Sequence, residues 1–353
     1  MRVLQIIDSL RPGGAEKMAV NIANALLPFV DKSFLCCTRQ EGLLKKEIKN
    51  EVGYLFLSKK SSLDPLAILK LKKFIRENKI ELVHAHSTSF FLPGILKLSG
   101  SKFKLIWHDH YGESENLEKR EYRILKRFSK LFSGIISVNT VLRNWAIQKL
   151  DCNKVIEIKN FIPELELTEE SKIKLRGNQD DFKIICVANL RPQKDHLTLL
   201  RAFEMLKPDI NVSLHLIGED PGTMYSASIL KAIENSSVKH KIFFYGTQVG
   251  IIPFLKKADL GILSSRSEGL PLALLEYGMA GLPVICTRVG KCPEVIGEYG
   301  ETVPKENSKA LIEKINFYIN HPDKMNIDST QFQQRIKEKY SELIIINRIL
   351  DFY

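Results

Sequence analysis

Short apolar runs recur along this chain, each closed by a polar or glycine-bearing turn and followed by a stretch whose apolar positions return at helical spacing. Residues 2–7, 34–38, 54–57, 82–85, 104–107, 135–138 and 155–158 read as strands, and a helix from Ala15 places Met18, Ile22, Ala25 and Leu26 on one face. Strands that alternate with helices imply a parallel sheet covered on both faces. Over residues 161–181 the periodicity fails and the composition turns polar, which marks a linker. The alternation resumes with strands at 182–188, 213–217, 241–245, 259–263 and 282–286. A helix is predicted from Pro271, a residue suited to the first helical position, to about Ala280, where Gly281 stops it. Residues 331–353 read as one final helix carrying Ile336, Tyr340, Leu343, Ile344 and Leu350. The chain divides into a first domain 1–160, a linker 161–181, a second domain 182–330 and a last helix 331–353.

A length of 353 residues exceeds what one core usually serves, in agreement with two domains. No window approaches the roughly 18 apolar residues of a membrane span. The opening MRVLQIIDSL is too short, and at Asp8 too acidic, for a secretion signal, so a cytoplasmic chain is expected. The six cysteines show no metal-binding spacing and read as reduced core residues. Charge changes the picture more. The net +11 is concentrated in residues 1–160, which hold 28 Lys and Arg against 16 Asp and Glu, whereas the remainder holds 24 against 25. Such asymmetry suggests an anionic surface as partner. Without an aromatic ladder, zinc spacing or RNA-binding signature that partner is not nucleic acid, and a membrane surface is expected. Residues 117–132 read as one basic amphipathic helix with Lys119, Arg120, Arg123, Lys126, Arg127 and Lys130 around an apolar side, and residues 66–76 have a similar character.

Ligands of parallel sheets bind at the carboxyl ends of the strands, and the candidate chemistry lies there. The richest stretch is 263–285, where Glu268, Gly269 and a helix start lie between two apolar runs, with Glu276 inside the helix. Unpaired amides and the helix dipole make such a start an anion site. Glu268 and Glu276 are spaced by roughly 10 Å at the helical rise, about the span of a diphosphate with a sugar at each end. The plain alternative is a capping box between Ser265 and Glu268, with Glu276 a solvated helix residue. After the strand 182–188, Arg191 and Lys194 stand before a helix that Asp195 can cap, an arrangement suited to clamping a phosphate or to two solvated charges. Gly13 and Gly14 open the first helix beside Glu16 without the G-x-G-x-x-G of a dinucleotide site. Gly246 and Thr247 form a turn against which a base can rest. His84 and His86 end one strand, and His108 and His110 end the next. We read the members of each pair as pointing to opposite faces at the strand ends, which argues against a shared metal. Backbone-bonded burial is the plain reading of all four and the better one for His84.

Taken in order, GGAE, IWHD, RPQK, SEGLPLALLE and GKCPE resemble the retaining glycosyltransferases of family 4, over nearly the whole chain. The resemblance implies the GT-B fold: two Rossmann-like parallel-sheet α/β domains facing across a cleft. The first domain would bind an acceptor, the second a nucleotide sugar, and the last helix would cross back to the first domain. Glu268 would hold the transferred sugar, Glu276 the nucleotide ribose, and the amides of Gly269, Leu270 and Leu272 sugar hydroxyls or phosphate. Lys194 would bind the diphosphate together with an Arg that family members carry five residues earlier. Asn189 occupies that register here, which leaves Arg191 as the substitute. Gly13, Gly14 and Glu16 match a loop near the donor sugar, and Gly246 and Thr247 lie where the base is seated. The histidine touching the sugar is His108, with His110 its rival.

The implied reaction moves a sugar from a nucleoside diphosphate sugar to a hydroxyl of a saccharide, expected to be lipid-linked, in surface polysaccharide or glycolipid synthesis. Retention at the anomeric carbon is implied. No cofactor is expected, and no metal in the absence of a D-x-D motif. The enzyme would sit peripherally on the inner face of the cell membrane. The competing readings are a sugar-nucleotide epimerase of similar fold and a non-catalytic nucleotide-sensing module.

Overall fold

A computed structural model describes residues 1–112, 117–163, 174–207, 210–248 and 250–353, and it separates into two units. Unit 1 comprises Met1–Pro163 and Glu342–Tyr353, and unit 2 comprises Glu164–Ser341. Nearly half of the polar stretch read as a linker, residues 164–173, lies outside the described residues. At its start, Phe161 and Ile162 are buried.

Unit 1 runs β1 (Arg2–Ser9), α1 (Gly14–Ala25), β2 (Lys32–Gln40), β3 (Gly53–Phe56), α2 (Pro65–Glu77), β4 (Leu82–His86), α3 (Phe91–Leu98), β5 (Lys104–Asp109), α4 (Arg123–Ser129), β6 (Gly134–Ser137), α5 (Thr140–Lys149) and β7 (Val155–Glu157). The strands form one parallel sheet of order β3-β2-β1-β4-β5-β6-β7. Each of the seven predicted strands is present. β4 and β5 run further than predicted, so His86, His108 and Asp109 are strand residues in register, with His86 opposite His108. Leu4, Ile6, Val83, Ala85, Leu105 and Trp107 fill the core on one face, as expected of strands buried on both sides.

Unit 2 runs β8 (Phe182–Val187), α6 (His196–Glu204), β9 (Val212–Ile217), α7 (Met224–Asn235), β10 (Ile242–Phe244), α8 (Ile252–Leu255), β11 (Leu260–Leu263), α9 (Leu272–Met279), β12 (Val284–Thr287), α10 (Cys292–Ile296), β13 (Glu301–Val303), α11 (Ser308–Asn320) and α12 (Pro322–Tyr340). Its parallel sheet has the order β10-β9-β8-β11-β12-β13. Its core is built from side chains such as Ile184, Leu214, Ile262 and Ile285. Pro271 is the N-cap of α9 rather than its first residue, because its ψ of 117° is extended.

Two helix predictions are corrected. Residues 331–353 are not one helix: α12 ends at Tyr340, Ser341 is extended with ψ 148°, and α13 (Glu342–Phe352) follows as part of unit 1. α13 packs on the sheet where Gly134 leaves room, since a Cβ there would meet Phe352 Cζ at 2.6 Å. The basic helix 117–132 is also interrupted, into a 3₁₀ turn at Leu117–Lys119 and α4. Arg120, assigned to its solvated face, is instead drawn inward, its side chain 9% exposed. Its guanidinium gives two bonds of 2.7 and 2.8 Å to Asp109 and lies over the rings of Trp145 and Tyr111. A buried carboxylate needs such a partner, and satisfying Asp109 outweighs continuing the helix.

Candidate active site

In unit 2 the groups singled out in the sequence converge at the carboxyl ends of β8 and β11. Lys194 ends a 3₁₀ turn, Pro192–Lys194, and its Nζ lies 2.6 Å from Glu268 Oε1. The Ser265 hydroxyl donates to the same oxygen at 2.6 Å. The turn is held by backbone: Ser264 Oγ donates to the carbonyls of Lys194 and Asp195, and Arg266 N donates to Gln193 O at 2.7 Å. Asp195 takes up a left-handed conformation with φ 48°. Its carboxylate does not cap α6 through a backbone amide. It accepts from Thr198 Oγ1 at 2.7 Å and pairs with Arg266.

Neither plain reading of the acid pair survives burial. Glu268 is 5% exposed, and Ser265 binds its carboxylate instead of completing a capping box. Glu276 is 8% exposed, the single ionisable carboxylate in a helix whose residues are otherwise apolar and almost all buried. Keeping a carboxylate in such a helix costs free energy unless it has a task or partners. Leu270 and Leu272 are buried on either side of Pro271, and Gly269 O accepts from Lys291 N at 3.2 Å.

Arg191 is exposed, at the N-terminus of the turn that Lys194 ends. Asn189 is committed to structure, since its Oδ1 accepts from Glu219 N at 2.9 Å and ties the loop after β8 to that after β9. Gly246 has φ 64°, its carbonyl accepts from Gly218 N at 3.0 Å, and Thr247 beside it is half-buried.

The sequence reading placed Gly290 in a glycine turn but not at the site. Its φ is 49°, and a Cβ there would meet the carbonyl oxygen of Glu268 at 1.9 Å, so the glycine lets the loop after β12 lie directly against the backbone that carries Glu268. The signal was present in the GKCPE turn. Its Lys291 and Glu294 form an ion pair with each other.

In unit 1, Gly13 is the extended N-cap of α1, and the helix begins at Gly14 rather than Ala15. A Cβ on Gly13 would meet the Glu16 carboxylate at 2.3 Å. The expectation that members of each histidine pair diverge is overturned. Residues two apart on a strand share a face, and the His84 and His86 rings stack at 4.6 Å. The in-register pairing of β4 with β5 brings His108 alongside, so His84, His86 and His108 have ligand-type atoms all within 4.8 Å of one another. His110 joins them, 3.0 Å from His86. Among the described residues His84 is bonded to side chains, Tyr353 and His108, and not to backbone. Burial pushes His84 and His110 down to about 3 and His86 and His108 well below the ordinary imidazole value, so all four are neutral near pH 7.

Two family profiles match the chain: Glycosyltransferase Family 4 over residues 12–164 and Glycosyl transferases group 1 over residues 168–339. The chain is 26% identical to the N-acetyl-alpha-D-glucosaminyl L-malate synthase of Bacillus anthracis, over 66% of its own length and 63% of that protein, less than two thirds of it. It is 24% identical to the capsular polysaccharide biosynthesis glycosyltransferase CapH of Staphylococcus aureus, over 96% of this chain and 98% of that one. Among solved structures, Anabaena Alr3699/HepE in complex with UDP and glucose superposes with a TM-score of 0.85 at 19% identity, covering 99% and 98% of the two chains. S. aureus TarM, in complex with fondaparinux, alpha-GlcNAc-glycerol and UDP, gives 0.79 at 13% identity, covering 99% of each. At these identities the structures bear on the fold alone, which is GT-B.

Proposed function

We propose, for a chain that belongs to the family 4, group 1 glycosyltransferases, the transfer of a sugar from a nucleoside diphosphate sugar to a saccharide hydroxyl in surface polysaccharide or glycolipid synthesis, with retention. The observation that carries this reading is the Lys194–Glu268–Ser265 constellation, its acid and hydroxyl buried, beside the start of α9, with Glu276 buried one helix turn further in. A cation held at 2.6 Å by a buried carboxylate is preorganised to meet an anion, and the amides at the start of α9 add partial positive charge. In the reaction the bond from the anomeric carbon to the diphosphate oxygen breaks and the bond to the acceptor oxygen forms. The departing phosphate oxygen takes the acceptor proton. Lys194 stabilises the charge that grows on that phosphate, with Arg191 as a second cation, and no metal is required. Glu268 orients the sugar, Glu276 the ribose, and His108 the sugar hydroxyls. Gly246 and Thr247 seat the base. Unit 2 is then the donor unit, and unit 1 the acceptor unit, with Gly13, Gly14 and Glu16 in a loop that serves the donor sugar.

A lipid-linked acceptor accounts best for the basic first unit. No helix among the described residues is long and apolar enough to cross a membrane. α2 exposes Leu66 and Leu69, with Leu63 just before it, among Lys70, Lys72, Lys73 and Arg76. Exposed leucines ringed by cations fit an anionic lipid surface. The names of CapH and of relatives such as the O-antigen glycosyltransferase WbnH of Escherichia coli favour this pathway class.

The deciding experiment is a thermal-shift screen of nucleotides and nucleotide sugars, followed by proton NMR of the product. A ligand that stabilises the fold identifies the donor, and an unchanged anomeric configuration in an acceptor-linked product supports retention. Product formed from nucleotide sugar alone would instead establish an epimerase. Binding without turnover against a panel of acceptors would favour the sensing module.

A further inference from the structure

The four histidines of unit 1 belong to a longer chain of hydrogen bonds that starts on β1 and passes through Tyr353. His108 Nδ1 lies 3.1 Å from His84 Nε2, and His84 Nδ1 lies 2.6 Å from the Tyr353 hydroxyl. Gln5 Nε2 donates to that hydroxyl at 3.2 Å, and Gln5 Oε1 lies 2.9 Å from His86 Nε2. His86 Nδ1 lies 3.0 Å from His110 Nε2. Six side chains are thus joined by five contacts. Gln5, both ring nitrogens of His84 and of His86, and the Tyr353 hydroxyl are used up inside the chain.

A neutral imidazole has one N–H and one lone pair, and each contact needs one donor and one acceptor. Gln5 therefore fixes the rest. Because its amide nitrogen donates to Tyr353, the phenol turns its own hydrogen to His84 Nδ1. His84 then carries its proton on Nε2 and gives it to His108 Nδ1, which leaves the His108 proton on Nε2. On the other branch Gln5 Oε1 accepts from His86 Nε2–H, so His86 Nδ1 accepts from His110 Nε2–H. All four rings are the Nε2–H tautomer. His108 Nε2 is buried and has no hydrogen-bond partner among the described residues. Rotating the Gln5 amide by half a turn would reverse every donor and place all four protons on Nδ1.

We propose that Gln5 and Tyr353 are positioning residues that hold His108 as a neutral Nε2–H donor, so that it gives a hydrogen bond to an oxygen of the substrate and cannot act as a general base. Which oxygen it meets rests on the function proposed above, whereas its tautomer does not. A metal ion would have to break this chain, and the carboxylate next in sequence, Asp109, is already neutralised by Arg120.

The test is ¹⁵N NMR of the histidine rings in the protein at pH 7.5, where protonated, bare and cationic nitrogens have separate chemical shifts. The wild type is expected to show the neutral Nε2–H pattern at His84, His86, His108 and His110. An Nδ1–H pattern or an imidazolium at His108 overturns the proposal. So does loss of the pattern on adding one equivalent of Zn²⁺, which would make the cluster a metal site. Tyr353→Phe removes the hydroxyl between Gln5 and His84. It is expected to give averaged shifts at His84 and His108 while His86 and His110 stay Nε2–H, a difference that loss of packing alone would not produce. In that variant kcat should fall more than donor affinity. Averaged tautomers with unchanged kcat would uphold the positioning role of Tyr353 and overturn the part given to His108 in the proposed reaction. Unchanged tautomers in a folded Tyr353→Phe protein would remove the positioning role.

Discussion

Replacing Lys194 by alanine tests the central assignment, and the structure allows two effects of the change to be separated. The ammonium is 2.6 Å from Glu268 Oε1, and its side chain is 23% exposed against 6% for the acid. Removing it leaves a buried carboxylate with the Ser265 hydroxyl as one remaining donor. Breaking a fully buried pair costs about 3–5 kcal/mol, and partial exposure of the lysine reduces this to about 1–3 kcal/mol here. Unit 2 should stay folded with a melting temperature lower by several degrees. The chemical effect is distinct: loss of one preorganised partner for the departing diphosphate costs about 2–4 kcal/mol at the transition state, a fall of roughly 30- to 1,000-fold in kcat/KM. Adding Glu268→Gln to Lys194→Ala removes the uncompensated charge, so stability should recover while the rate does not. The assay is product formation under saturating acceptor, beside calorimetric unfolding. A folded Lys194→Ala enzyme with kcat/KM within about threefold of wild type would refute the assignment.

Glu276→Ala should chiefly weaken donor binding and Glu268→Gln should chiefly slow turnover, because the ribose is remote from the reacting carbon; equal effects on kcat and KM would leave the two roles unsupported. Gly290→Ala forces a left-handed alanine at about 1 kcal/mol and drives its Cβ into the Glu268 carbonyl, so activity should drop more than stability, as paired kinetics and thermal unfolding would show. Acid should destabilise unit 1 before unit 2. The depressed histidines bind protons only on unfolding, so stability is full above about pH 6.5 and falls toward pH 3 by up to about 1.4 kcal/mol per pH unit for each, with four such rings in unit 1 and two, His196 and His215, described in unit 2. Hydrogen exchange at pH 5 and 7.5 measures the difference, and parallel losses in the two units would contradict it. Binding to anionic vesicles should weaken with salt and fall about tenfold or more in Leu66→Glu with Leu69→Glu, while indifference of the wild type to such vesicles at low salt would remove the lipid surface.

The alternation of apolar runs with helical periods was enough to set the element types and the two parallel sheets, because burial on both faces leaves a continuous apolar signature in each strand. The order of the motifs was likewise legible, and Lys194 and Glu268 were both chosen from it. Their contact was not, since 74 residues separate them and it depends on β8 lying beside β11. The burial of Glu276 was decided by packing on every side of α9, whereas a helical pattern read alone allows the same residue a solvated face. Arg120 shows the limit most directly: along the sequence it continues a basic helix, and in the fold the need to neutralise Asp109 draws it inward. The histidines were found in pairs, but which of them touch follows from strand register, and their proton positions from Gln5 and Tyr353, which lie 348 residues apart in sequence. Local propensity is written residue by residue, while desolvation and hydrogen-bond complementarity act only on groups that tertiary structure has brought together.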